Sequence, residues 1–297
     1  MKNTLPWLFS ALLALFLYWG NSYYQTHCGC NAVNALPAVG ATTLTATSTL
    51  AIADGSAFKG SFNDNLRFGR SNYEHGLPLS AGVTKVFGST ADYLKAHADR
   101  TLKITGFYNE AEKNTSIYPN LGLARANHIK AMLTGLGAPA SQIATDAIMQ
   151  NDLTFVNDTL SGGAMYSFSS LVTDNTRLTD IEKRLRANPI ILYFATNASG
   201  LSLTDQQRKD FSDLLYYLDN KKGAKATSTG HTDNKGSIEK NTSLSAERAA
   251  FVRAYLAKNG VNAEQIVTAG KGSSVPRETN DTEEGRAKNR RVEVGIE

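Results

Sequence analysis

The chain has little cysteine: Cys28 and Cys30 are the two residues of that type among 297. That is too few for a disulfide framework. It has no long lysine- or arginine-rich run, and a net charge of +4 is mild for this length, so its composition does not point to a nucleic-acid partner. It has no convincing nucleophile, base and orienter set. The glycine-rich stretch Gly270-Lys271-Gly272-Ser273-Ser274 lacks phosphate-loop spacing and reads as a turn. His231 has no second ligand within sequence reach, so it reads as a packed strand histidine rather than a metal ligand. An enzyme, a metal site and a cofactor are therefore not expected. What the chain does have is enough apolar residue, 41% against 20% charged, to build one large domain or two of ordinary size.

Charge is also missing near the N-terminus. Leu5 to Trp19 reads LPWLFSALLALFLYW, and the uncharged stretch runs on through Tyr24. About 20 such residues just span a bilayer core of ~30 Å. Trp7, Trp19, Tyr23 and Tyr24 sit near its ends, as interfacial aromatics do. Lys2 precedes it and no Lys or Arg follows before Lys59, which places the N-terminus in the cytoplasm and the body across the membrane. Residues 1–24 are thus expected to be a transmembrane helix or signal anchor. A cleaved signal peptide is the competing reading, opposed by bulky residues where a cleavage site needs small ones. Ser10 and Ala14 are spaced to pack two such helices. The segment contains no carboxylate, which argues against a proton path through it. Cys28-Gly-Cys30 follows, where an oxidising compartment favours pairing. A bridge across one glycine is strained, so an intermolecular disulfide is the alternative. Residues 25–50, uncharged and rich in Ala, Thr and Ser from Asn31 to Ser48, read as a flexible linker. Thr43 to Ile52 is a candidate edge strand.

Beyond this, strand and helix patterns alternate. Pro189 to Ala195 is a short β-rich apolar run. Thr204 to Asn220 has Thr204 and Asp205 to cap it and Phe211, Leu214, Leu215 and Leu218 at helical spacing. Ala224 to Gly230 predicts a strand. Asn241 to Asn259 predicts a helix with Leu244, Phe251, Val252, Tyr255 and Leu256 inward, ended by Gly260. Gln265 to Ala269 and Arg291 to Ile296 predict two more strands. The βαβαββ order implies a mixed sheet with helices packed on one face, an α/β (α+β sandwich) class.

Five signatures then follow in order: Gly230-His231-Thr232-Asp233-Asn234, Asn241-Thr242-Ser243-Leu244-Ser245-Ala246-Glu247-Arg248-Ala249, Asn259-Gly260-Val261, Gly270-Lys271-Gly272, and Gly285-Arg286-Ala287-Lys288-Asn289-Arg290-Arg291-Val292-Glu293. In content and spacing they resemble the OmpA-like peptidoglycan-binding domain. The resemblance implies a ligand, the diaminopimelate of the peptidoglycan stem peptide, whose free end is an ammonium beside a carboxylate. It implies that Asp233 accepts from the ammonium and that Arg248 donates to the carboxylate through its planar fork. Asn241 is expected to supply a cap and a ligand contact, with Thr232 and Arg290 as further candidates. The bare residues also allow Asp233 and Arg248 to be an ordinary surface ion pair.

Residues 65–170 read as a worn copy of the same pattern. Asn65 to Phe68 matches the strand at Leu192 to Phe194, Ser80 to Ala98 the first helix, and Thr101 to Gly106 the strand ending at Gly230. Leu121-Gly122-Leu123-Ala124-Arg125-Ala126 matches Leu244 to Ala249, Gly137 matches Gly260, Ala140-Ser141-Gln142-Ile143 matches Ala263 to Ile266, and Gly163 to Ser169 supplies the last strand. Phe107-Tyr108-Asn109 replaces His231-Thr232-Asp233, Tyr118 replaces Asn241, and the loop is one residue longer. Counting forward from Gly106 puts Asn109 at the acid position; counting back from Arg125 puts Glu110 there. The copy is expected to keep the fold and to have lost or changed the binding.

The expected organisation is therefore a linker over 25–50, a degenerate OmpA-like domain over 51–170, a linker or helix over 171–188, and an OmpA-like domain over 189–297. The expected role is a non-catalytic protein of a Gram-negative cell envelope, with its body in the periplasm. It would hold a membrane, the inner one by preference, to peptidoglycan. The alternative is a scaffold subunit of a secretion or stator-like machine, using the first copy to meet a homodimer mate or another envelope protein.

Overall fold

The computed structural model describes residues 48–172, 174–194 and 201–297. The membrane segment at Leu5 to Trp19, most of the 25–50 linker, and Cys28 and Cys30 lie outside them. Among the described residues no helix is long and apolar enough to cross a membrane.

In the C-terminal half, alternating apolar residues build a four-stranded mixed sheet from β8 (Ile190–Tyr193), β9 (Ala226–Gly230), β10 (Ile266–Gly270) and β11 (Arg291–Ile296). Its order is β10-β9-β11-β8. Strands β9 and β10 run parallel; β11 runs antiparallel to both β9 and β8. Helix α4 (Asp205–Asn220) starts where predicted, with Thr204 and Gln207 forming a reciprocal capping box. It buries Phe211, Leu214, Leu215 and Leu218. Helix α5 (Ile238–Lys258) begins one turn earlier than the apolar pattern suggests, because Ser237 accepts a hydrogen bond from the Lys240 amide and caps it. Val252 and Leu256 are buried as expected, but Phe251 is 40% exposed, at the margin of the inward stripe. It meets Phe194 edge-on there, at 6.2 Å between ring centroids. A short helix, α6 (Glu283–Asn289), overlaps the start of the last signature and has no counterpart in the sequence reading.

The N-terminal half holds a three-stranded sheet, β5-β4-β7. Strand β4 (Arg100–Tyr108) is parallel to β5 (Ile143–Met149) and antiparallel to β7 (Ala164–Ser170). Helix α1 (Ala81–Ala96), capped by Ser80, buries Val83, Val86, Phe87, Ala91 and Leu94. Helix α2 (Leu121–Gly135) is capped by Asn120. The expected first strand at Asn65 to Phe68 is displaced: β3 (Arg67–Gly69) pairs with β6 (Thr159–Ser161) in a separate ladder. A hairpin of β1 (Leu50–Asp54) and β2 (Phe58–Phe62) is also present, and β1 packs against β7.

Several local devices recur in both halves. A Cβ on Gly106 would lie 2.0 Å from the Gly122 carbonyl oxygen, and one on Gly230 would lie 1.9 Å from that of Ser245. Each strand therefore meets its helix backbone to backbone, which glycine alone permits. Gly137 and Gly260 end the following helices with φ of 94° and 95°. Gln142 and Gln265, each in a 3-10 turn, both donate to two backbone carbonyls, one at the end of a helix (His97, Leu218) and one at or just before the strand that follows it (Arg100, Ala224).

The two halves are not beads on a string. The described residues fall in one compact unit, and Tyr73, Ile117, Tyr118, Leu121 and Ala124 of the first half join the core of the second. The Tyr118 hydroxyl donates to the Asn259 carbonyl at 2.5 Å, and the Ile117 amide to the Asn259 side chain at 3.3 Å. Lys130 pairs with Asp219 at 2.8 Å across the junction, with both side chains largely buried. Within the stretch 171–188, helix α3 (Asn175–Ala187) buries Ile181 and Leu185 and ties Arg184 to Asp210 and Asp213 of α4.

Candidate functional site

The close approach of Gly230 to Ser245 sets the site. It holds the end of β9 against the first turns of α5, so His231, Thr232 and Asp233 leave the strand beside Asn241 and Arg248. The Gly270–Gly272 turn rests on the same helix: the Gly272 amide donates to the Ser245 hydroxyl at 2.9 Å, and the Gly272 carbonyl accepts from the Thr232 amide at 2.9 Å. Gly272 has φ of 52°, a left-handed conformation that glycine adopts without strain.

Asp233 is held on three sides. One carboxylate oxygen accepts from the Lys235 amide at 3.1 Å, and the other from Arg290 Nη1 at 2.9 Å. Its backbone carbonyl accepts from the Asn241 side chain at 3.3 Å. The Asp233 and Arg290 side chains are 13% and 14% exposed, so the pair lies at a rim, mostly shielded but reachable. Arg290 also bonds Glu283 at 2.9 Å. Burial alone would lower the Arg290 pKa, but hydrogen bonds to Asp233 and Glu283 outweigh it and raise the group. Arg290 stays charged.

The last signature now has a physical explanation. Asn289 is fully buried; its side chain accepts from the Arg277 and Glu278 amides and donates to the Glu278 carbonyl and the Asn280 side chain. That clamps the loop before α6. A Cβ on Gly285 would sit 2.0 Å from the Thr279 carbonyl oxygen, so the helix can lie on the loop only with glycine there. Asn280 in turn accepts from the Asn234 amide at 3.2 Å. The result is that Arg290 reaches back to Asp233 from 57 residues away.

Arg248 stands beside this pair. Its guanidinium lies 5.6 Å from the Phe194 ring centroid and makes a long, 3.4 Å hydrogen bond to the His231 carbonyl. Burial lowers its pKa; the Asp233 charge opposes that and the Arg290 charge adds to it. It has no ion-pair partner among the described residues. The surface-pair reading of Asp233 with Arg248 is thus corrected: the acid's partner is Arg290, which sequence reasoning ranked second.

The other candidates are placed as follows. Asn241 is buried and braces the Asp233 loop, but it is not the helix cap, because Ser237 caps one turn earlier. Thr232 is buried, with its hydroxyl unpartnered among the described residues. His231 is buried, and burial together with Arg291 lowers its pKa. Glu283 and Asn289 were missed as site-builders.

The corresponding place in the first half differs. Arg125 is fully buried and donates to the Phe107 carbonyl at 2.7 Å, as Arg248 does to that of His231. Its partner is neither Asn109 nor Glu110 but Glu112, at 2.6 Å, with both side chains 0% exposed. The extra loop residue lets a turn form, with the Glu112 amide on the Asn109 carbonyl and the Ala111 amide on the Asn109 side chain. That turn folds Glu112 back over the arginine.

Comparison with known proteins locates the likeness in the C-terminal half. The OmpA family matches residues 193–290. The peptidoglycan-binding protein ArfA of Mycobacterium tuberculosis is 52% identical over 73 residues, which is 25% of this chain and 22% of that protein. Outer membrane protein A of Bordetella avium is 49% identical over 67 residues, 23% of this chain and 34% of that protein. The chain thus spans well under two thirds of either relative. The crystal structure of the peptidoglycan-associated lipoprotein from Burkholderia pseudomallei aligns with 27% identity over 37% of this chain and 92% of that one, at a TM-score of 0.33. These matches indicate no catalytic family.

Proposed function

Residues 193–290 are an OmpA family domain, and on that premise we propose that the C-terminal half binds peptidoglycan by the free end of a diaminopimelate side chain. The observation that carries this reading is the unequal treatment of two guanidinium groups at one rim. Arg290 is neutralised by Asp233 and Glu283; Arg248, half-buried at the same rim, has no ion-pair partner among the described residues. An ammonium-plus-carboxylate end group complements that arrangement. The ammonium joins Asp233, whose orientation Arg290 and Lys235 fix. The carboxylate joins Arg248, where the Phe194 ring supports the guanidinium face. Asn241 and Thr232 brace the loop that carries Asp233.

The rest of the chain is read around this site. Residues 1–24 anchor the protein in a membrane, the inner one of a Gram-negative envelope, and residues 25–50 give the tether its reach. Residues 51–170 form a degenerate copy of the OmpA-like domain, a reading supported by the shared glycine contacts, helix ends and glutamine ties. The machine-scaffold alternative needs a free rim on that copy. Ile117 and Tyr118, at the position of Asn241, instead engage Asn259 at the far end of α5. Roughly 27 Å of helix separates Asn259 from Asn241, so the first half leaves the second half's rim uncovered.

The specificity is tested by competition. Full-length protein bound to isolated sacculi is challenged with free diaminopimelate or with a lysine blocked at its α-amino and α-carboxyl groups, whose free end is an ammonium with no carboxylate beside it. Release by diaminopimelate and not by the blocked lysine is expected. Equal release by both removes the carboxylate from the account.

A further inference from the structure

The first half carries a carboxylate in the place where, on the reading above, the second half takes one from the cell wall. Arg125 and Arg248 occupy matching helix positions, and each donates Nη1 to the carbonyl of the residue just past its strand's glycine, Phe107 or His231. On Arg125 the Glu112 carboxylate is engaged by both arms of the fork, at 2.6 Å and 3.2 Å. The same carboxylate accepts the Ser71 amide at 3.0 Å on one oxygen and the Asn109 amide at 2.9 Å on the other. Arg125 Nε is held by the Asn72 carbonyl at 3.1 Å. Four donor contacts thus converge on one carboxylate, and neither side chain is exposed.

We propose that this is a carboxylate-binding site permanently filled from within: Glu112 is a built-in ligand, and the first half is closed to external ligands because its own chain occupies the receiving arginine. The donor set is complete without Glu112. Arg125 supplies the fork and its charge, Ser71 and Asn109 supply backbone N–H groups, and Glu112 supplies only the anion. The chemical class that fits the vacated position is a small monocarboxylate. The correspondence of the two arginines rests on reading residues 51–170 as a second copy; the site itself does not.

The test is chemical rescue in the full chain. Glu112→Ala is made in an Arg248→Ala background, so that the second half's arginine is silent, and thermal stability is followed in sodium acetate against sodium chloride of equal ionic strength. The expected result is a lowered Tm that acetate raises in a saturable way at millimolar concentration and chloride does not. Adding Arg125→Met should abolish the rescue. If the variant folds only when acetate is present, that also supports the proposal. Identical behaviour in the two salts, folded or unfolded, overturns it. The readout is the stability of the first half, so a failure of sacculus binding by the second half would leave this result unaffected.

Discussion

Arg290 and Asp233 show how much a single pair does at the residue scale. The pair is mostly shielded, so its value lies between that of an exposed ion pair and a buried one. Arg290→Ala is expected to destabilise the protein by about 1–3 kcal/mol and to weaken wall binding as well, because Asp233 loses the group that orients it. Urea denaturation beside a sacculus-binding assay checks both; normal affinity in a destabilised variant would show that Arg290 supports only the fold. A second residue-scale prediction concerns pH. The His75 and His128 rings face each other, with Nδ1 2.7 Å from Nε2. Tyr73 packs edge-on against His128, and Glu74, which pairs with Lys258, lies nearby. Burial, with His75 adding to it, depresses His128 to about 4, from 6.5. The unfolded chain therefore binds a proton that the folded one refuses between those values. The stability contributed is full above pH 6.5 and lost as pH falls toward 4, on the order of 3 kcal/mol. His128→Phe should flatten the stability profile in that window; an unchanged profile would remove His128 as its source.

At the scale of elements, the glycine contacts decide how strand and helix meet. Gly230→Ala puts a methyl 1.9 Å from a backbone oxygen that cannot swing away, and about 2–4 kcal/mol of destabilisation is expected. Gly88, in the middle of α1, meets nothing within 4 Å, and Gly88→Ala should stabilise by about 0.5–1 kcal/mol. Thermal melts of the two variants should therefore move in opposite directions. The same elements show what a sequence reveals. Helix α4 was legible because a capping side chain precedes an apolar stripe, and α1 and α2 because their residues match the helices of the second half. The first turn of α5 was not, since its one large apolar residue, Ile238, is 77% exposed and adds nothing to the period. Strand β3 was misplaced because a three-residue strand with one buried apolar side chain, Phe68, does not specify its ladder partner. In the site, Asp233 and Arg248 stood out because their signatures are local. Glu112 did not, because its approach to Arg125 depends on a turn whose closure is a tertiary event.

At the scale of the whole molecule, the two halves share a core and a cross-junction pair, Lys130 with Asp219, so they should unfold together. Calorimetry of the intact protein is expected to give one transition. Asp219→Ala strands a buried ammonium and should lower stability by about 3 kcal/mol. Two separated transitions in the wild type would mean that the junction is incidental. A rigid pair also makes sense of the proposed role. The first half packs Ile117 and Tyr118 onto Asn259 at the far end of α5, and at the rim of the second half the Arg248 guanidinium has no ion-pair partner among the described residues. That guanidinium is the centre of the account, and the most direct measurement is co-sedimentation of the full-length protein with isolated sacculi, comparing wild type with Arg248→Ala and Asp233→Ala. Loss of sedimentation in both variants, each still folded at the assay temperature, is the predicted result; wild-type sedimentation of Arg248→Ala would contradict it.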